Sequence, residues 1–366
     1  MDFEGIYTPV ITPFNDDFSI DRKGFAAVIE HLIEAGVHGI VTSGTTGEYY
    51  AQTIDERIEL TQLAKDVIAG RLPLIVGTGA IRTEDSVVLA ESARAAGADA
   101  LMVNSPPYAV PTEAENAEHA LAIDRAADLP IILYNYPGRT GVGMGETYLQ
   151  IVSRSKNFCA IKESSGDINR LHLLANGYPT IALSCGMDDQ ALEFFAWGAR
   201  SWVAAGANFA PEAHLALYQA CAIEGDFNKG RAIMAAMLPL MAILEQGGQF
   251  GQCIKYGMTL RGLPAGPPRK PLSPLNNEDQ EALARGGGRD PHLFRQVRRR
   301  APEGLGAPTA RLDRVRAVSL RADTRGRLDK RLLADKYPGG ARGRGRRERP
   351  VDREERESDR TEHQAE

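Results

Sequence analysis

Short apolar runs alternate along this chain with stretches whose apolar positions recur every three or four residues. The runs at 5–12, 39–44, 73–79, 100–105, 130–137, 158–163, 181–186 and 201–206 have the length and bounding residues of buried strands. Between them the spacing predicts amphipathic helices. One carries Phe25, Val28, Ile29, Leu32 and Ile33 on a single face; another carries Ile58, Leu60, Leu63, Ala64 and Val67. Thr53-Ile54-Asp55-Glu56 has the form of a capping box at a helix start. Gly36, Gly70 and Gly97 stand where helices should stop, each just ahead of a strand.

Eight evenly spaced strand–helix units predict a parallel (β/α)8 TIM barrel over residues 1–210. A doubly wound open sheet is the rival. The even spacing, with no G-x-G-x-x-G after the first strand, favours closure. Residues 211–284 then read as a C-terminal helical appendage. Pro239 is expected to interrupt one of its helices, and 262–274 is a Pro/Gly-rich connection.

Charge divides the chain a second time. Residues 1–284 hold 20 Lys and Arg against 34 Asp and Glu, whereas residues 285–366 hold 23 against 14. The body is acidic and the tail basic. The tail opens on Gly286-Gly287-Gly288 and includes Arg342-Gly343-Arg344-Gly345-Arg346-Arg347. With so few large apolar residues it is predicted to be disordered. It reads as an extension without function, of the kind a shifted reading frame in an arginine-rich coding sequence produces. The alternative is an arm that contacts nucleic-acid phosphates. The acidic body would repel such a partner, so nucleic acid is not expected.

The remaining composition narrows the class. With 43% hydrophobic residues the chain can bury a sizeable core. No basic-then-apolar segment opens it, and no apolar run of about 18 residues appears, so neither a secretory signal nor a membrane span is expected. Cys159, Cys185, Cys221 and Cys253 are scattered, which suits reduced thiols in a cytoplasmic protein. The seven histidines form no ligand spacing, so neither a metal nor another cofactor is expected.

Lys162 is the residue with the clearest chemical meaning. It closes the apolar run Phe158-Cys159-Ala160-Ile161, where burial disfavours the charged ammonium and lowers its pKa. A neutral amine attacks carbonyls, so Lys162 is a candidate Schiff-base former. A strand-end lysine that snorkels to solvent is the commoner case. The other strand ends reverse that weighting, because a parallel barrel collects function at the C-terminal ends of its strands. The second strand leads into Gly44-Thr45-Thr46-Gly47-Glu48, a turn able to aim N–H and hydroxyl groups at a small carboxylate. The fourth ends in a proline-stiffened loop carrying Tyr108. The fifth ends in Tyr134-Asn135-Tyr136-Pro137-Gly138-Arg139-Thr140-Gly141, where Arg139 could hold a carboxylate bidentately.

G-T-T-G-E at 44–48, Y-N-x-P-x-R-T-G at 134–141 and I-K-E at 161–163 together resemble the dihydrodipicolinate synthase/N-acetylneuraminate lyase family. The resemblance spans about residues 3–280, with the motifs in order. It implies a (β/α)8 barrel with a helical appendage, a homotetramer, and Schiff-base chemistry on pyruvate or another 2-oxo acid. It further implies that Lys162 forms the imine and Tyr134 is the general acid/base. Thr45 would link Tyr134 to Tyr108, the latter reaching in from a neighbouring subunit. Thr46 would bind the pyruvate carboxylate and Arg139 that of the second substrate. Gly186 and Val203 resemble positions that line the pyruvate pocket.

Departures bear on the second substrate. Pro107-Tyr108 replaces the Tyr-Tyr pair common in lysine-regulated synthases, and Tyr49-Tyr50 replaces small residues after G-T-T-G-E. Both changes weigh against lysine feedback and loosen the assignment to lysine biosynthesis. The best reading is a 4-hydroxy-tetrahydrodipicolinate synthase-like lyase joining pyruvate to L-aspartate 4-semialdehyde. A 2-keto-3-deoxy sugar acid aldolase or dehydratase is the alternative, and a 2-oxo acid sensor the non-enzymatic one. The last helix is expected to be cut short before Gly286.

Overall fold

The computed structural model describes residues 3–286. The basic tail, with the expectations placed on it, lies outside the described residues. Eight parallel strands close into a barrel: β1 (Gly5–Pro9), β2 (Gly39–Thr42), β3 (Leu74–Gly77), β4 (Ala100–Asn104), β5 (Ile131–Asn135), β6 (Phe158–Glu163), β7 (Ala182–Cys185) and β8 (Ser201–Val203). Each pairs with the next, and β1 returns to β8 with Gly5 opposite Ser201 and Tyr7 opposite Val203. All eight lie within the apolar runs that predicted them. The sheet is covered on its outer face by helices, which explains why the strands read as unbroken apolar runs.

The outer helices are α1 (Arg22–Ala35), α2 (Ile54–Ile68), α3 (Thr83–Ala95), α4 (Glu113–Ala127), the single turn α5 (Pro137–Thr140), α6 (Glu146–Val152), α7 (Ile168–Gly177), α8 (Ala191–Ala196) and α9 (Pro211–Tyr218). The capping box at Thr53 is formed: its hydroxyl accepts from Glu56 N–H, and the Glu56 carboxylate accepts from Thr53 N–H. A second, at Thr112 and Glu115, starts α4. Gly36 ends α1 at φ 86°, a left-handed conformation in which a side chain would be strained.

Side-chain alternation divides the core in two. Outward residues such as Leu101, Leu133 and Ile161 pack under the helices. Inward residues, among them Tyr7, Val41, Met102, Ile132, Tyr134 and Val203, fill the barrel. On β6 the same alternation turns Ala160 and Lys162 inward.

Beyond the barrel come α10 (Phe227–Gln246), α11 (Phe250–Leu260) and α12 (Asn277–Ala284). Pro239 lies inside α10, which continues through it, contrary to the expected break. Buried Met234, Met237, Leu240, Met241 and Leu244 anchor the helix on both sides of the proline, and packing outweighs the lost backbone hydrogen bond. By length and composition, α10 is the one helix among the described residues apolar enough to cross a membrane, with a mean hydropathy of 1.2. α12 is only eight residues long, the short final helix the sequence predicts.

An ionic clamp joins these helices to the turn after β2. Lys255 Nζ lies 2.7 Å from Glu48 Oε1, both side chains buried, although the approach is off the hydrogen-bonding direction. Lys255 Nζ donates instead to Pro267 O at 2.9 Å, and Arg269 N–H donates to Glu48 Oε2 at 2.9 Å. The Arg269 guanidinium grips Glu56 with two hydrogen bonds, of 2.6 and 2.7 Å. Removing one partner of a buried ion pair leaves an uncompensated charge, at a cost of about 3–5 kcal/mol. Lys255→Met is therefore expected to lose stability on that scale in urea denaturation, and Glu48→Gln added to it should recover part of the loss. A single mutant within about 1 kcal/mol of wild type would show that the clamp contributes little.

Candidate active site

The C-terminal ends of the strands surround a small cavity. Lys162, Tyr134, Thr45, Thr46, Arg139, Gly186 and Val203, all singled out in the sequence, line it. Lys162 stands directly opposite Tyr134 across the β5–β6 pairing, and both point inward. The ammonium sits 4.0 Å from the centroid of the phenol ring. Both side chains are buried, Lys162 with 7% of its surface exposed.

Burial sets the protonation of both groups. Loss of hydration moves the Lys162 amine down to about 8, although the charges of Asp188 and Glu245 oppose the shift. At neutral pH about a tenth of such an amine is uncharged, against a few parts in ten thousand for an ordinary lysine. The Tyr134 phenol is pushed up to about 12, again chiefly by burial. Arg139 and the nearby Thr45 and Ser164 hydroxyls oppose that rise, though neither hydroxyl completes a hydrogen bond to the phenol. The pair is thus a partly neutral nucleophile beside a fully protonated phenol.

The surrounding frame fixes this pair. Neighbouring Glu163 is buried and points out of the barrel, accepting from both Asn135 Nδ2–H (2.8 Å) and Ser165 N–H (2.7 Å). Gly186 packs against the base of the lysine: a Cβ there would lie 2.9 Å from Lys162 Cγ and 1.9 Å from Ser164 Oγ. Any side chain would displace the amine.

The turn after β2 is strained where it faces the cavity. Ser43 and Glu48 bracket it with φ of 53° and 61°, left-handed conformations for non-glycine residues. Thr45–Gly47 makes a helical turn in which Gly47 and Glu48 N–H bond back to Gly44 and Thr45 carbonyls. The first N–H groups of such a turn have no partner within it, so Thr45 and Thr46 present amides as well as hydroxyls. The Glu48–Lys255 clamp holds the far end.

Arg139, on α5, stacks over the Tyr136 ring at 5.3 Å and makes no ion pair among the described residues. It also borders an adjoining cavity of about 170 Å³ walled by Tyr49, Tyr50, Asn104 and Pro107. Tyr108 is not part of either cavity. It is 91% exposed, at φ 73° on the loop after β4. Within one chain it does not meet Thr45 or Tyr134.

Two acidic residues of the cavity escape the sequence reading. Asp188 follows β7, where it accepts from Trp202 Nε1–H (2.8 Å) and Gly206 N–H (3.1 Å). Glu245 enters from α10. Its only visible signal is one carboxyl ending an apolar run, Leu240-Met241-Ala242-Ile243-Leu244, which points equally to a helix end.

The model of the dihydrodipicolinate synthetase family matches residues 2–286. Among curated proteins, the 4-hydroxy-tetrahydrodipicolinate synthase of Methanoculleus marisnigri is 34% identical over 77% of this chain and 97% of its own length. A probable 2-dehydro-3-deoxy-D-pentonate aldolase of Escherichia coli is 33% identical over 72% and 88%. Among solved structures, the dihydrodipicolinate synthase of Acinetobacter baumannii complexed with pyruvate superposes with a TM-score of 0.73. It is 30% identical, and the match covers 81% of this chain and 99% of that one.

A lysine whose pKa falls from 10.5 to about 8 on folding destabilises the protein wherever it is protonated. Between those values the unfolded state binds more protons, so stability rises with pH; below about 8 the full penalty applies. Lys162→Met is therefore expected to stabilise the protein at pH 7 by about 1–3 kcal/mol, and the gain should shrink as pH rises past 8. Thermal melts of both proteins from pH 6 to 10 test this. A mutant less stable than wild type throughout would contradict the claim that the amine is penalised by burial.

Proposed function

The chain belongs to the dihydrodipicolinate synthetase family, and we propose that Lys162 carries its chemistry, as the amine that forms a Schiff base with pyruvate. Family members are class I lyases that work through this intermediate. The observation that carries the reading is the buried Lys162–Tyr134 pair, an amine short of water next to a protonated phenol. Neutral Lys162 attacks C2 of pyruvate, and loss of water leaves an iminium. That cation acidifies the methyl group, and Tyr134 relays the departing proton. The resulting enamine attacks the carbonyl carbon of the second substrate. Hydrolysis or cyclisation then frees the lysine.

Thr46 holds the pyruvate carboxylate through its hydroxyl and N–H, on the turn fixed by Glu48. Gly186 and Val203 shape the floor. Arg139, without an ion-pair partner among the described residues, takes the carboxylate of the second substrate at the cavity mouth. This favours L-aspartate 4-semialdehyde and a 4-hydroxy-tetrahydrodipicolinate synthase-like reaction. The alternative is cleavage or dehydration of a 2-keto-3-deoxy sugar acid. The E. coli relative named as an aldolase supports it, as do the aromatic Tyr49 and Tyr50 beside Arg139.

Assembly belongs to the same proposal. Exposed Tyr108, strained at the tip of its loop, would complete the proton relay through Thr45 in a neighbouring copy of a homotetramer. Members of the family are usually oligomeric. A cytoplasmic site of action fits this metabolism.

Incubation with pyruvate followed by borohydride should fix a three-carbon adduct on Lys162 and on no other lysine. Lys162→Ala should take none, and Tyr134→Phe should lose about 10²–10⁴ in turnover. An adduct mapped to Lys156 or Lys255, or none at all, refutes the assignment. Assays of pyruvate with L-aspartate 4-semialdehyde against 2-dehydro-3-deoxy-D-pentonate decide between the two substrate readings.

A further inference from the structure

Joining an enamine to an aldehyde moves protons at two places: on the pyruvate methyl carbon and on the aldehyde oxygen. Tyr134, packed against Lys162, stands beside the first. The cavity holds one more ionisable group to which the scheme above gives no task. Glu245, next to last in α10, lines the cavity with Lys162, Tyr134 and Arg139. Its Oε1 accepts from Asp188 N–H at 3.3 Å, its only side-chain hydrogen bond among the described residues, so Oε2 is left for a ligand. The Asp188 side chain does not compete for that proton, because both its oxygens are engaged by Trp202 and Gly206.

The electrostatics agree with this geometry. Burial, then the charge of Asp188 and that of Asp189, pushes the Glu245 carboxyl up to about 8, while the Asp188 N–H and Lys162 oppose the rise. Tyr134 from β5 and Tyr136 just beyond it, Lys162 from β6, Cys185 at the end of β7 with the two aspartates that follow, and Arg139 from α5 are ionisable groups around it. A carboxylic acid kept neutral at physiological pH is a proton donor.

We propose that Glu245 is the acid–base group for the oxygen on the reacting carbon of the second substrate, leaving Tyr134 to serve the pyruvate half. In the forward direction the enamine carbon pair forms the C–C bond, and the nitrogen lone pair restores the iminium. The carbonyl π pair becomes an O–H bond with the proton from Glu245. The carboxylate left behind faces the new iminium cation, so the charge of the cavity is conserved. In reverse, Glu245 carboxylate removes the hydroxyl proton as the C–C bond breaks. For dehydration the same acid protonates the departing hydroxyl, which leaves as water. The assignment rests on the Schiff-base reading and deepens it.

The test separates the two half-reactions. Glu245→Gln should keep the borohydride-trapped pyruvate adduct, and the exchange of pyruvate methyl hydrogens in D2O should stay within about threefold of wild type. Condensation with L-aspartate 4-semialdehyde, or cleavage of 2-dehydro-3-deoxy-D-pentonate, is then measured, using the one that wild type turns over. It should fall by about 10²–10⁴. Glu245→Asp should restore part of the loss, and the alkaline limb of kcat expected near pH 8 for wild type should be missing in Glu245→Gln. Turnover close to wild type in Glu245→Gln overturns the proposal. So does a parallel loss of exchange and turnover, which would make Glu245 a positioning residue for Lys162. A wild type that forms no adduct has a different signature and marks failure of the Schiff-base reading itself.

Discussion

The structure depends on keeping one primary amine away from water, in register with one phenol. Strand pairing places Lys162 opposite Tyr134, and the inward turn of both follows from the two-residue alternation of β5 and β6. Keeping the charged amine from water is a net cost at neutral pH, since its pKa falls from 10.5 to about 8 even with Asp188 and Glu245 opposing the shift. The barrel must supply that from elsewhere. Its double core does so, with outward strand residues under the helices and inward ones filling the lumen. A site of this kind is tolerated because the scaffold around it is over-determined.

The same logic accounts for the charge buried at Glu48. That residue is held in a left-handed conformation, a cost in itself, and its carboxylate is paired with Lys255 and accepts from the Arg269 backbone N–H. The clamp therefore does more than join the appendage to the barrel. It fixes the far end of the turn whose near end presents Thr45 and Thr46 to the cavity. The C-terminal helices act on the site twice, through this clamp and through Glu245 from α10.

The barrel was legible in the sequence because its strands are short, mostly apolar and separated by helices with clear stops such as Gly36. Lys162, Tyr134, Thr45, Thr46 and Arg139 were legible because strand ends in a parallel barrel converge. Pro239 misled, since local backbone chemistry predicts a break that tertiary packing on α10 overrides. Glu245 and Asp188 were hidden for another reason. Each reaches the cavity from an element whose direction only the folded chain defines, and a single carboxyl in a helix has no spacing to mark it. The partner of Glu48 was equally invisible, being 207 positions away along the chain at Lys255.

The two halves of the cavity differ in how firmly they are built, and this bears on substrate range. Around Lys162 the backbone and carboxylate neighbours are fixed: Glu163 is held by Asn135 and Ser165, Gly186 admits no side chain, and Asp188 is bonded at both oxygens. Toward Arg139 the walls loosen. The guanidinium is exposed and unpaired among the described residues, Tyr50 is 45% exposed, and an adjoining cavity opens between the tyrosines. A fixed half suits a constant reactant such as pyruvate, and an open half suits variation in the other. Relatives named as a synthase and as a probable aldolase, at 34% and 33% identity, are in keeping with that division. On the proposed reading, specificity would lie in the few side chains at the junction of the halves, where Arg139 would select charge and the Glu245 acid would meet the oxygen that the reaction creates or removes.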